Sequence, residues 1–166
     1  FLQPKHVYIN VSTVKTLPER EIISGLGEVI KHGIIRDKDF YEFLKDNAKC
    51  VKNLDDKILI SMCKTNCAIK AAVVEADERE AGERAHLNFG HTIGHAVESA
   101  SQFTLTHGEC VALGMIGAFY VAVGRGYMKS TELDRFIALL SHYGFKTKTE
   151  ITDIEKILQI MRSDKK

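Results

Sequence analysis

Proline occurs only twice in the chain, at Pro4 and Pro18. Everything after Pro18 is therefore free of the residue that disrupts a helix interior at a cost of about 3 kcal/mol. Across that stretch apolar residues recur near the 3.6 period of a helix rather than alternating as in a half-buried strand. Thr16 is placed to cap a first helix running to residue 35, with Pro18 in its opening turn and Glu19 and Glu21 at the positive end of its dipole. Further helices are predicted over 39–45, over a long segment through Ile58, Cys63, Cys67 and Val74, and over 91–99, 109–123, 131–143 and 151–162. Gly124 and Gly144 stand where two of them should close. The fold class expected is all-α: one multi-helical domain over 1–166, with a short amino-terminal extended segment.

That segment, His6-Val7-Tyr8-Ile9-Asn10-Val11, alternates like a strand but has no second convincing strand to pair with. It is expected to pack on material that the later helices do not supply, so the chain is expected to begin inside a larger protein. Lys and Arg number 23 against 22 Asp and Glu, a formal charge of +1. No excess charge advertises nucleic acid or an acidic membrane as partner. The chain has no uninterrupted apolar run of the roughly 18 residues a bilayer span needs, and its first residues lack the pattern of a signal peptide. A soluble, cytoplasmic protein is expected. The four cysteines are expected reduced, with Cys63 and Cys67 facing the core.

The sharpest local feature is Asn88-Phe89-Gly90-His91-Thr92-Ile93-Gly94-His95. Its two histidines stand four apart and share a helical face. Thr92 occupies the place where zinc proteases carry their glutamate base, which argues against that chemistry. His107 precedes the next apolar helix and can turn back towards His91. Upstream, Glu28 and Lys31 lie one turn apart on a helix apolar enough that an embedded carboxylate needs compensation. A Zn²⁺ ion on Glu28, His91 and His107 would supply it, leaving a coordination position open and His95 free for proton transfer. The spacing leaves alternatives open: any of these histidines also fits a hydrogen-bonded core or surface role, and Glu28 can pair with Lys31.

Lys31, Lys70 and Arg84 could form a positive wall suited to an anionic substrate, with Asn88 able to orient hydroxyls. The charged run 77–84 also reads simply as a solvated helix end and linker. No GxGxxG nucleotide fingerprint follows a strand, and Gly114 and Gly117 are better placed for close helix approach than for cradling phosphate.

Taken together, several pieces resemble the 3-dehydroquinate synthase family: Gln3-Pro4-Lys5, Leu17-Pro18-Glu19-Arg20-Glu21, Ser24-Gly25 with Glu28-Val29-Ile30-Lys31, and Glu75-Ala76-Asp77-Glu78-Arg79-Glu80. The strongest are the block 84–95 and Leu105-Thr106-His107-Gly108-Glu109. The chain resembles the carboxy-terminal, helical half of such an enzyme, without the amino-terminal domain that binds most of the NAD. Asn10 stands where the family pattern usually has aspartate. The chain stops at the family's Asp164-Lys165-Lys166 motif.

The resemblance implies that Glu28, His91 and His107 hold Zn²⁺, with Co²⁺ as an alternative divalent ion. It implies that Lys31, Lys70, Arg84, Asn88 and His95 contact substrate, with His95, Lys31 and Arg84 as the catalytic groups. It further implies that the intact enzyme is a homodimer using NAD⁺ to convert 3-deoxy-D-arabino-heptulosonate 7-phosphate, an anionic sugar phosphate, to 3-dehydroquinate and phosphate in the shikimate pathway. The isolated chain is expected to be inactive. A related sugar-phosphate cyclase such as 2-deoxy-scyllo-inosose synthase is the nearest alternative. A non-enzymatic structural or interaction domain is the alternative of a different class.

Overall fold

Pro18 sits immediately before the first long helix, α1 (Glu19–Arg36), not inside its first turn. The computed structural model describes residues 5–77, 82–151 and 153–163. Gln3, Pro4, Glu78, Arg79, Glu80, Asp164, Lys165 and Lys166, which carry part of the motif pattern, lie outside the described residues. Thr16 does not cap α1; it ends a 3₁₀ helix, Val11–Thr16, where its Oγ1 donates to the Thr13 carbonyl at 2.8 Å. The expected strand over 6–11 is not formed, and no strand occurs among the described residues. Residues 6–10 run irregularly, with Val7 and Tyr8 exposed. Asn10 accepts a hydrogen bond from the Ser12 N–H at 3.1 Å and so caps the 3₁₀ helix. Aspartate could do the same, which gives the Asn10 departure from the family pattern a benign reading.

After α1 come α2 (Lys38–Asp46), the short α3 (Ala48–Lys52) and the long α4 (Asp56–Ala76). Asp37 and Asp55 cap α2 and α4 by accepting from the Phe40 and Ile58 amides. A 3₁₀ helix, Glu83–Asn88, leads into α5 (His91–Ala100) and α6 (His107–Gly124), followed by α7 (Ser130–Tyr143) and α8 (Ile154–Ser163). The expected all-helical architecture is therefore present, with α3 and the 3₁₀ helix before α5 as additions too short for periodicity to reveal.

Helix α6 is central, packing on α1, α5 and α7. Its residues from Gly108 to Ile116 are all buried, so its apolar character runs around the helix and not along one stripe. By length and composition α6 could cross a membrane, yet half of it is buried within this fold. The main core joins Leu26 and Ile30 of α1 to Phe40, Leu44, Val51, Met115, Phe136 and Leu140. Burying a side chain of this size contributes about 1.5–3 kcal/mol, more than a typical helix cap at about 1 kcal/mol, so packing fixes where the helices lie and capping trims their ends. Tyr143 is fully buried and donates its hydroxyl to the Leu44 carbonyl at 2.7 Å, joining the end of α7 to α2. Cys63 is partly buried and Cys67 exposed, so the expected inward pair faces outward at Cys67; the broad apolar content of α4 hid which side was solvated.

Two glycine contacts set the geometry that matters for function. At Gly27 an added Cβ would stand 2.8 Å from the Gly108 carbonyl oxygen, and at Gly108 it would overlap the carbonyl oxygen of Ser24. The backbones of α1 and α6 therefore touch directly, pinned by the Gly108 N–H donating to Ser24 Oγ at 3.2 Å. Gly90 takes φ of +78° at the start of α5, and its carbonyl lies against Gly114. The expected close-approach role of Gly114 is present at this crossing.

Candidate metal centre

Because α6 begins against the middle of α1, its first residue, His107, reaches Glu28. Because Gly90 turns the chain into α5 over Gly114, His91 and His95 face the same place. Glu28 Oε1 lies 3.4 Å from His91 Nε2 and 3.9 Å from His107 Nε2. One donor atom from each of the three residues falls within 4.8 Å of the other two. The imidazole rings of His91 and His107 are 5.3 Å apart, and that of His95 is 5.4 Å from the first and 6.0 Å from the second.

The electrostatics of this junction are unbalanced in one direction. Lys31 is 2% exposed and donates to Glu28 Oε2 at 2.6 Å. The other carboxylate oxygen, Oε1, is buried and has no hydrogen-bond partner. Burial disfavours the Glu28 anion, but the Lys31 hydrogen bond and charge, with help from His91 and His107, outweigh it and hold the carboxyl below its ordinary range. Burial pushes His91 down to about 4, with the Lys31 charge adding to the effect. His91 is then neutral near pH 7, with a ring lone pair available to a cation. An ionised oxygen left without a hydrogen-bond partner beside two imidazole nitrogens is the donor set a borderline divalent ion such as Zn²⁺ accepts. The expected pairing of Glu28 with Lys31 and the expected grouping with the histidines are both present, one on each carboxylate oxygen.

Of the other expected site residues, His95 is the one whose ring lies beside this group. His95, partly buried on α5, faces both histidine neighbours. Arg84 is partly buried and Asn88 exposed, both on the 3₁₀ helix that leads to Gly90. Lys70 is exposed on α4, close enough for its charge to depress the titration of buried His32.

Three features escaped the sequence reading. Asp77, in the run expected to be solvated, is buried and accepts from the Gly82 and Arg84 amides at 2.8 and 3.0 Å, tying the end of α4 to the start of the 3₁₀ helix that carries Arg84. Glu109 forms a capping box with Thr106 and accepts from Arg20 Nη2 at 2.8 Å, tying α1 to the start of α6. The Thr106-x-x-Glu109 spacing was the available signal for the box. Glu98 places Oε2 3.6 Å from His107 Nδ1, and its position seven residues after His91 marks it as two turns further along the same face.

Residues 25–166 match the family model described as 3-dehydroquinate synthase C-terminal. The chain belongs to the 3-dehydroquinate synthase family. It is 50% identical over its whole length to a 3-dehydroquinate synthase from Acetivibrio thermocellus, spanning 46% of that relative. Among solved structures, 93% of the chain superposes on 42% of a 2-deoxy-scyllo-inosose synthase, with TM-score 0.81 and 28% identity; that protein was crystallised with carbaglucose-6-phosphate, NAD⁺ and Co²⁺. It also superposes over 93% of its length on 44% of 2-epi-5-epi-valiolone synthase from Streptomyces hygroscopicus subsp. jinggangensis 5008, which has NAD⁺ and Zn²⁺ bound, with TM-score 0.86. Identity there is 19%, and the likeness is one of fold. Family membership and the helical fold thus agree with the resemblance drawn from the motifs. The chain spans about half the length of the curated relatives it matches.

Proposed function

We propose that this chain is the metal- and substrate-binding part of a 3-dehydroquinate synthase, a carbon–oxygen lyase that converts 3-deoxy-D-arabino-heptulosonate 7-phosphate to 3-dehydroquinate and phosphate. The observation that carries the reading is the buried, unpartnered Oε1 of Glu28, flanked by the Nε2 atoms of His91 and His107. Glu28, His91 and His107 would hold Zn²⁺, with Co²⁺ an alternative, and leave room for substrate oxygen. When bound, the ion supplies Lewis-acid polarisation of a substrate alcohol, and NAD⁺, held mostly by the amino-terminal portion of the whole protein, supplies reversible hydride acceptance.

The chain's own residues supply binding and proton handling. Lys31 holds Glu28 in its ionised form and presents its positive charge at the floor of the site. Arg84 and Lys70 would pair with the substrate's carboxylate and phosphate, and Asn88 would read its hydroxyls through an amide that both donates and accepts. His95, beside the two histidines yet outside the Glu28 group, would move the proton released as the alcohol is oxidised. Oxidation at C5 makes the C6 proton acidic. We propose that the substrate phosphate itself takes up that proton as phosphate is expelled, after which the ketone is reduced back and the opened ring closes by an intramolecular aldol addition. Those last steps need confinement more than any further functional group. The reading carries with it a cytoplasmic homodimer and an inactive isolated chain.

The test is product analysis with the full-length protein, Zn²⁺ and NAD⁺. Stoichiometric phosphate and 3-dehydroquinate from the heptulosonate phosphate are expected. Cyclisation of glucose 6-phosphate instead would favour the inosose synthase alternative, which the 28% identical solved structure keeps in view. Intact sugar phosphate after incubation with folded, cofactor-loaded protein would overturn both.

A further inference from the structure

His91 and His107 present the same ring nitrogen, Nε2, to Glu28, and each has an oxygen facing its other nitrogen. For His91 that oxygen is the Phe89 carbonyl, 3.2 Å from Nδ1. For His107 it is Glu98 Oε2, 3.6 Å from Nδ1. His107 is 45% exposed while His91 is 11% exposed, so the backbone and packing that orient His91 are largely missing around His107. Reaching hydrogen-bond length from 3.6 Å takes a shift of roughly half an ångström. Glu98 follows buried Val97 on α5, and its side chain is 22% exposed.

From this arrangement we propose that Glu98 is a positioning residue for the metal centre: its carboxylate accepts the Nδ1–H of His107, fixes the tautomer that leaves Nε2 bare, and aims that nitrogen at the ion. The inference deepens the function proposed above and rests on its metal site. An imidazole backed by a carboxylate is a stronger donor than one backed by a carbonyl, so Glu98 also compensates for the solvent exposure of His107. His95 lies close to the same carboxylate, and His95, Glu98 and His107 bring one donor atom each within 4.8 Å of one another. That grouping could in principle hold an ion of its own, but it shares His107 with the Glu28 group. One ion with Glu98 behind it uses both ring nitrogens without conflict.

The experiment measures Zn²⁺ affinity and stoichiometry by chelator competition in the full-length protein, its Glu98→Ala and Glu98→Gln variants, and a Glu28→Gln control. The wild type is expected to bind one ion per chain at this site. Glu98→Ala should weaken binding by about 10–100-fold, Glu98→Gln should fall between because its amide oxygen still accepts the Nδ1–H, and the Co²⁺-loaded variants should show shifted visible bands. Circular dichroism and the melting temperature of the metal-free variants should match wild type. Unchanged affinity in Glu98→Ala, or a metal-free Glu98→Gln that is misfolded, would overturn the role. So would a second ion in the wild type that disappears with Glu98. A wild type that binds no Zn²⁺ would instead sink the metal site itself, and with it the function.

Discussion

Glu28 Oε1 lies 3.4 Å from His91 Nε2 and accepts no hydrogen bond, although Lys31 holds the other oxygen of the same carboxylate. A buried anion half satisfied in this way costs stability unless something positive completes it. Lys31 is already committed to Oε2, and a cation between the carboxylate and the two imidazoles is the simplest completion.

This arrangement separates the roles of two histidines on one helix. His91→Ala should weaken Zn²⁺ binding by more than the roughly 10–100-fold expected for a supporting group, and so lower the Zn²⁺ content of the purified protein. His95→Ala should keep full metal content while turnover falls by about 10²–10⁴-fold, the usual worth of a general acid or base. Metal analysis beside steady-state rates reads both. Full occupancy in His91→Ala would reject its role as a ligand, and parallel loss of metal and rate in His95→Ala would move His95 into the ligand set.

The contact of α1 with α6 gives a paired test of backbone approach. Gly108→Ala places a methyl group into the Ser24 carbonyl, forcing the helices apart. Urea unfolding should show a loss of about 1–3 kcal/mol, with weaker metal binding because His107 moves with the helix end. Gly25→Ala meets nothing within 4 Å and should be neutral or stabilising by up to about 1 kcal/mol. Equal effects at the two glycines would mean the crossing is not tight.

Acid should erode stability partly through His32. This residue is 3% exposed and shares a 2.7 Å hydrogen bond with Asn66 Oδ1. Burial holds its folded-state titration below the ordinary histidine range, and the charges of Lys31 and Lys70 push the same way, while the Asn66 bond and Glu28 oppose. The unfolded chain therefore takes up a proton near pH 6.5 that the folded chain refuses. Stability is highest above that pH and falls as pH drops below it, by at most about 1.4 kcal/mol per pH unit for one group, until the folded-state value is reached. Unfolding midpoints from pH 7.5 to 5.5 should fall less in His32→Gln than in wild type. Identical slopes would show that His32 titrates normally.

The thiols should react in order of exposure. Cys50 and Cys67 are exposed, Cys63 is partly buried, and Cys110 is buried with its thiol pushed up to about 12 by loss of solvent. Because the thiolate is the reactive form, a disulfide reagent should consume two thiols quickly, Cys63 more slowly, and Cys110 only on unfolding. Rapid loss of Cys110 in the folded protein would show that α6 opens.

The helical architecture was readable because period, punctuation and the scarcity of proline all pointed the same way. The ends of α1 and α6 were less so. Thr16 has the chemistry of a cap but is consumed by a 3₁₀ helix whose own cap, Asn10, lay inside a segment that alternated like a strand. Alternation without a partner strand carries no force, since a lone edge has nothing to pair with. At the site, Glu28, His91 and His107 could be named from local spacing and motif order, but their convergence depends on Gly27 and Gly108 meeting across eighty residues of chain, a contact no local pattern announces. Asp77 and Glu98 escaped notice for the same reason: each looks like an ordinary surface acid until the fold gives it a partner.

The three side chains that meet at Glu28 come from α1, α5 and α6, and α6 is also the helix on which the apolar core is assembled. An ion seated there would act as a rivet through the middle of the molecule. Its removal would be felt well beyond chemistry, as earlier melting and faster proteolytic nicking of the folded chain.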